Sequence, residues 1–234
     1  MNILAADTST NTLYLCLLTE RSKISLSLTG IQQHSENLVP KIIELTKSAQ
    51  LTLKDLDLLV CTKGPGSFTG LRIAMSALKG ISVANGAPLV AIETNKLLST
   101  PVSFYDGTIL TAIDARKKRF YISLFKNNTR ITKDLDINEE EILTLLKDEK
   151  KVLITGPDSE KLYTKLKNID LDTKLPKLKI QVDSAKHDLA YHLAVLGKQE
   201  YEKNGAAPIG FGPSYIRKSD AEIALENKIK NQSK

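Results

Sequence analysis

The residues with most to offer chemically sit at the ends of two apolar runs. Asp7-Thr8-Ser9-Thr10 closes the run Ile3-Leu4-Ala5-Ala6, and Asp114-Ala115-Arg116 closes a second run over residues 108–113. A carboxylate at a strand end followed by hydroxyls can hold a magnesium-bearing phosphate, and a nearby arginine adds attraction for the same group. Asp7, Thr8, Ser9, Thr10, Asp114 and Arg116 are therefore the candidate nucleotide contacts, for weak ATP or ADP with Mg at most. No cofactor is expected to be required. The first turn lacks the glycine that lets backbone amides close on a phosphate, and the second is not a hairpin built to wrap one. The plainer reading of each is a structural aspartate with its hydrogen bonds satisfied internally.

The other conspicuous stretch is Gly64-Pro65-Gly66-Ser67-Phe68-Thr69-Gly70-Leu71-Arg72. Glycines between a strand and a helix permit close backbone approach, and the free amides of a helix start can hold an anion. No Gly-Lys-Ser/Thr follows, so this is not a Walker loop, and the spacing of 64, 66 and 70 does not match a dinucleotide fingerprint. A strand-to-helix turn with Ser67 as N-cap is the plainer expectation. No catalytic residue and no metal ligand is assigned. His187 and His192 fall on different faces of a helix, His34 stands alone at the start of another, and Cys16 and Cys61 lie where burial is the default.

Periodicity supplies the elements that hold these residues. Strands are expected over 2–7, 13–19, 24–28, 56–62 and 88–92. A helix over 34–49 carries Leu38, Ile42, Leu45 and Ala49 on one stripe, with Ser35 as N-cap and Pro40 tolerated near the first turns. The glycine loop opens a helix running to about 84. After a polar link near 99–106 the pattern restarts, with strands at 108–113, 119–125 and 151–155 and helices at 139–147, 158–167 and 184–203. An apolar strand ending in Asp, then a tight turn and a returning strand, thus occurs twice. That repeat predicts two α/β lobes, 1–103 and 104–234, with mixed sheets flanked by helices.

The helix behind the glycine loop has two apolar stripes. Phe68, Leu71, Met75 and Leu78 form one; Ile73, Ala77, Ile81 and Ala84 form another, about a third of a turn or more away. A helix lying on a sheet needs one apolar face, so the second points to contact with the helix over 34–49 and to a docking surface for another subunit.

The 234 residues carry 33 Lys+Arg against 27 Asp+Glu, and the resulting charge of +6 is dispersed rather than gathered in an aromatic-studded patch. Base recognition by this chain alone is not expected. The charge-free stretch over 80–92 is too short to span a bilayer, an aspartate interrupts the N-terminus before a signal-peptide core develops, and two cysteines fit a reducing compartment, so a soluble, cytoplasmic protein is expected.

Ile3-Leu4-Ala5-Ala6-Asp7-Thr8-Ser9-Thr10, His34-Ser35-Glu36-Asn37-Leu38-Val39-Pro40, the glycine loop through Arg72, Asp114-Ala115-Arg116 and Gly212-Pro213-Ser214-Tyr215-Ile216-Arg217 together resemble the TsaB (YeaZ) family. The resemblance covers nearly the whole chain. It implies a two-lobed actin-like (ASKHA, RNase H-like) fold, which agrees with the repeat. It also implies a noncatalytic assembly subunit, inactive alone, that supports a TsaD-type threonylcarbamoyltransferase together with a TsaE-type ATPase in making threonylcarbamoyladenosine in tRNA. The chain would meet tRNA only through that complex, form a homodimer when alone, and involve no membrane. The expected partner interface comprises His34, Asn37, Leu38, Lys41, Phe68, Arg72, Ile73, Ala77 and Ile81. The alternatives are a small ATPase or kinase of the same fold using Asp7 and Asp114 and, more weakly, a glycoprotease, for which the residues supply no nucleophile.

Overall fold

The structure, a computed structural model, describes residues 1–30, 34–169, 171–208 and 210–217. The first sheet contains β1 (Ile3–Asp7), β2 (Thr12–Leu18), β3 (Lys23–Thr29), β4 (Leu58–Gly64) and β5 (Leu89–Glu93), in the order β3-β2-β1-β4-β5. β1 pairs antiparallel with β2 and parallel with β4. All five residues of β1 are buried because the sheet is covered on both sides. Leu4 and Ala6 face α1 (His34–Ser48) and α2 (Phe68–Asn85), whose Leu38, Ile42, Leu45, Ala74, Met75 and Leu78 complete that core. Ile3 and Ala5 face the opposite way, toward Ala190, Leu193 and Ala194 of α7 (Leu189–Asn204).

The second sheet contains β6 (Thr108–Arg116), β7 (Arg119–Lys126), β8 (Thr129–Arg130), β10 (Lys151–Thr155) and β11 (Lys179–Val182) in the order β11-β10-β6-β7-β8, with β9 (Leu135–Ile137) also paired to β7. α4 (Glu139–Leu145), α5 (Ser159–Asn168) and α6 (Leu171–Lys174) supply residues to the core over one face. α3 (Thr94–Ser99) sits between the sheets, where its Leu98 joins Ile113, Ala115 and Tyr121 of the second lobe.

The expected repeat is present. β6–β7 is an antiparallel pair like β1–β2, and β10 and β11 add in parallel on β6 as β4 and β5 do on β1. It reaches a detail that periodicity missed: the strand-to-helix turns Gly64-Pro65-Gly66-Ser67 and Gly156-Pro157-Asp158-Ser159 share Gly-Pro-x-Ser, and the leading glycines have φ of +115° and +108°. Both are positive-φ positions where a side chain would be strained.

Three local expectations need correction. Ser35 lies inside α1 rather than capping it, and Pro40 is the helix's seventh residue, beyond the first turn, on an exposed face. α7 falls within 104–234 in the chain yet packs on β1, β2, β4 and β5 of the first sheet. It lies so close that a Cβ on its Gly197 would meet the Val60 side chain at 2.3 Å. The second-lobe residues beyond 217 lie outside the described residues.

Candidate functional site

Asp7 ends β1 with its carboxyl enclosed. The Thr62 hydroxyl donates to Oδ1 at 2.5 Å, and the Ser9 backbone N–H donates to the same oxygen at 2.8 Å. Burial pushes the Asp7 pKa above the ordinary carboxylate value despite these bonds and nearby His34. Thr8 and Ser9 are buried as well. The Thr8 hydroxyl reaches into α2, donating to the Gly70 carbonyl at 2.6 Å and accepting from the Ala74 N–H at 3.3 Å. The Thr10 carbonyl accepts from His34 Nε2 at 2.9 Å. Two buried atoms here, Ser9 Oγ and His34 Nδ1, have no hydrogen-bond partner among the described residues.

The glycine loop rests directly on this turn. Ser67 N–H donates to the Ser9 carbonyl at 2.7 Å, and Ser67 Oγ caps α2 by accepting from Gly70 N–H at 3.2 Å. A Cβ at Gly66 would lie 2.5 Å from the Ser9 carbonyl oxygen, and one at Gly70 only 1.9 Å from that of Thr8. At Gly64 the close neighbour is the Ser214 carbonyl oxygen, 2.7 Å away, from a strap that includes residues 205–208 and 210–217. The three glycines thus let three chain segments meet, and two amides of the helix start are already spent on protein acceptors.

The strap follows the first lobe outward. Ala207 N–H donates to the Leu89 carbonyl, and Ser214 N–H to that of Lys63 at 2.6 Å. The Lys79 ammonium sits 4.4 Å from the Phe211 ring centre and also bonds the Phe211 carbonyl. Tyr215 stacks on Phe68 with ring centres 4.2 Å apart and planes 8° apart, and its hydroxyl accepts from Arg72 Nε at 2.7 Å.

The matching corner of the second lobe is built from charge. Asp114 Oδ2 accepts from Lys161 at 2.6 Å, Oδ1 accepts from the Arg116 N–H at 2.9 Å, and the Asp114 N–H donates to Asp158. Partial burial opposes Asp114 ionisation, but Lys161 and the Arg116 amide prevail and hold its pKa below the ordinary value. Arg116, Lys117 and Lys118 form a turn with φ of +61°, +51° and +59°. Asp7 and Asp114 therefore both have protein partners, while Thr8 and Ser9 face packed protein rather than a cleft.

The faces of α2 sort the expected interface. Leu71, Met75 and Leu78 are buried against the sheet. Ile73, Ala77 and Ile81 are half-buried and packed against the same core, which α1 shares. Leu38, expected at the surface, is only 1% exposed and belongs to the core; His34, Asn37, Lys41 and Phe68 are half-buried, and Arg72 is exposed. The outermost stripe is one that the sequence reading did not single out: Arg72, Ser76, Gly80 and Val83, the last 89% exposed. On α1 the exposed apolar residues are Val39 and Ile43. The signal for the stripe was the run of small residues at a spacing of three and four.

Between the lobes lies a cavity of about 670 Å³ bordered by Glu93, Arg130, Lys133, Asp134, Tyr215 and Arg217. Glu93 of β5 pairs with Arg130 of β8 at 2.9 Å, and Arg130 with Asp134 at 2.7 Å. Asn95 Nδ2 donates to Asp134 at 2.8 Å. Sequence spacing gave no hint of this cross-lobe network. Elsewhere His187 pairs with Asp183 at 2.9 Å. Burial pushes the pKa of Cys16 up to about 11 and that of Cys61 up to about 12, so neither is an activated thiolate. Among the described residues no group of three or more His, Cys, Asp or Glu is placed to hold a metal, and no helix is long and apolar enough to cross a membrane.

Two lobes built on one repeated sheet topology define an actin-like fold, here with the first-lobe strand-end turn packed shut. Residues 28–195 match the TsaD family, described as tRNA N6-adenosine threonylcarbamoyltransferase. The chain is 31% identical over 95% of its length to the tRNA threonylcarbamoyladenosine biosynthesis protein TsaB of Bacillus subtilis, covering 96% of that protein. It also resembles two solved Pseudomonas aeruginosa structures. YeaZ has a TM-score of 0.73 and 20% identity, and a protein with similarity to peptidase YeaZ has a TM-score of 0.75 and 21% identity. Each match covers 92% of this chain and 99% of the other. The chain belongs to the TsaB (YeaZ) family.

Proposed function

We propose that this chain is a noncatalytic assembly subunit in the biosynthesis of threonylcarbamoyladenosine in tRNA, acting in the cytoplasm. Its partners are a TsaD-type threonylcarbamoyltransferase and a TsaE-type ATPase, with a second copy as partner when these are absent. The observation that carries the reading is the outward face of α2. Small residues at Ser76 and Gly80, with Val83 almost fully exposed, allow another helix to approach closely, and α1 adds Val39 and Ile43 beside it. The enclosed Asp7 turn supports a role without catalysis, because the Ser67 amide is held by the Ser9 carbonyl and the Thr8 hydroxyl by α2.

The test is to mix the chain with a TsaD-type subunit, follow the complex by sedimentation, and measure threonylcarbamoyladenosine formed on tRNA with the ATPase present. Ala77→Glu is a compromised probe because Ala77 packs partly against the core. Gly80→Glu is cleaner, since a Cβ there meets nothing within 4 Å. The expected result is a folded chain that no longer joins the complex and no longer supports modification. Full association and activity of the Gly80→Glu chain would refute the docking face.

A further inference from the structure

Arg72 is unusual among the exposed cations. Its Nε donates to the Tyr215 hydroxyl at 2.7 Å, and its guanidinium carbon lies 5.5 Å from the centre of a ring itself stacked on Phe68. Held by a neutral hydroxyl and an aromatic face, it has no carboxylate partner among the described residues. Its remaining nitrogens can form the two-pronged bond that carboxylates accept. Arg72 stands on the outward stripe with Ser76, Gly80 and Val83.

α1 carries the complement. Glu36 is exposed and likewise has no ion-pair partner among the described residues, whereas Glu44 on the same helix is taken by Lys41 at 2.6 Å. At helical spacing Glu36, Val39 and Ile43 share one face, so the acid lies beside the exposed apolar residues of α1. α1 and α2 pack side by side on one face of the first sheet. Their outer surface therefore holds Arg72 and Glu36, each without an ion-pair partner among the described residues, next to apolar and small residues, with the exposed Lys47 further along α1. Two copies related by a two-fold axis satisfy both charges twice.

We infer that Arg72 is a carboxylate receptor set by Tyr215, and that in the homodimer it binds Glu36 of the second copy. The inference rests on the docking face proposed above and names the pair that fixes its register. Arg72 and Glu36 make the contact, whereas Tyr215 is a positioning residue that acts through Arg72.

Sedimentation equilibrium of the full chain tests it, with thermal melts confirming that each variant folds. Arg72→Glu and Glu36→Arg should each raise the dimer Kd by at least about tenfold, since each sets like charges opposite one another. The double variant restores the pair in reverse and should return the Kd to within about threefold of the original chain. Tyr215→Phe keeps the stacked ring but frees Nε, so it should weaken the dimer less than Arg72→Glu. Its effect should vanish when Arg72→Glu is already present. A dimer broken by Gly80→Glu but unaffected by either charge reversal, or reversals that the double variant does not rescue, would overturn this pair and leave the docking face standing. A chain that never dimerises would overturn the pair and remove the second copy as a partner, leaving the TsaD-type association to its own test.

Discussion

Replacing Gly70 with alanine places a methyl carbon 1.9 Å from the Thr8 carbonyl oxygen, against an ordinary contact of at least 3.4 Å. The glycine loop and the Asp7 turn must then separate by roughly 1.5 Å, and neither is the end of a flexible side chain. Overpacking of this kind costs about 1–3 kcal/mol. Loss of the 2.6 Å bond from Thr8 to Gly70 adds about 1 kcal/mol. Alanine's helix propensity returns about 1 kcal/mol at most. The net expectation is destabilisation by about 2 kcal/mol. Gly80→Ala is the control on the same helix: with nothing within 4 Å of its Cβ, the chain should gain up to about 1 kcal/mol. Urea unfolding of both variants, at a concentration where the chain is monomeric, reads the difference directly. If Gly70→Ala is as stable as Gly80→Ala, the loop does not rest on the turn and has room for an anion, and the argument for a closed turn fails.

Asp7→Asn should stabilise the chain at neutral pH, because asparagine Oδ1 can accept from Thr62 and Ser9 without a buried charge. The raised native pKa means that the stability of the protonated form is fully present below about 3.8 and is lost as pH rises through the native value, so the advantage of asparagine should shrink in acid and appear in a series of pH melts. Calorimetric titration with magnesium-ATP should show no binding by the isolated chain; tight binding with turnover would restore the ATPase alternative at Asp7 and Asp114. Arg130→Ala removes the bridge from Glu93 to Asp134 and should cost about 1–2 kcal/mol in thermal unfolding, less at high salt.

Much of this architecture is legible in the residues because burial and periodicity leave little choice. A run such as Ile3-Leu4-Ala5-Ala6-Asp7 is apolar on both faces only if helices cover both sides of its strand, and α1 and α2 announce themselves through Leu38-Ile42-Leu45 and Leu71-Met75-Leu78. Periodicity cannot reveal which sheet a late helix returns to. α7 has an apolar stripe that would suit either lobe, and its place is fixed by Ala190, Leu193 and Ala194 against β1 and by Gly197 against Val60. The docking face is legible only in part. Ile73, Ala77 and Ile81 are the more hydrophobic stripe, yet hydrophobicity marks what the monomer buries, while the outermost positions are small and weakly apolar. The role of the glycines is hidden for another reason: their neighbours, Thr8, Ser9 and Ser214, are distant in sequence, so an empty cradle and a filled one look the same until the chain is folded.

The central claim is that the outward face of α2 joins this chain to a catalytic TsaD-type subunit. It is tested most directly by the affinity of the purified chain for that subunit, measured by titration calorimetry for the original sequence and for Gly80→Glu. The account predicts tight association for the first and at least about a hundredfold loss for the second, as expected when a charge is forced into a close helix crossing. Equal affinities, with both chains folded, would contradict it.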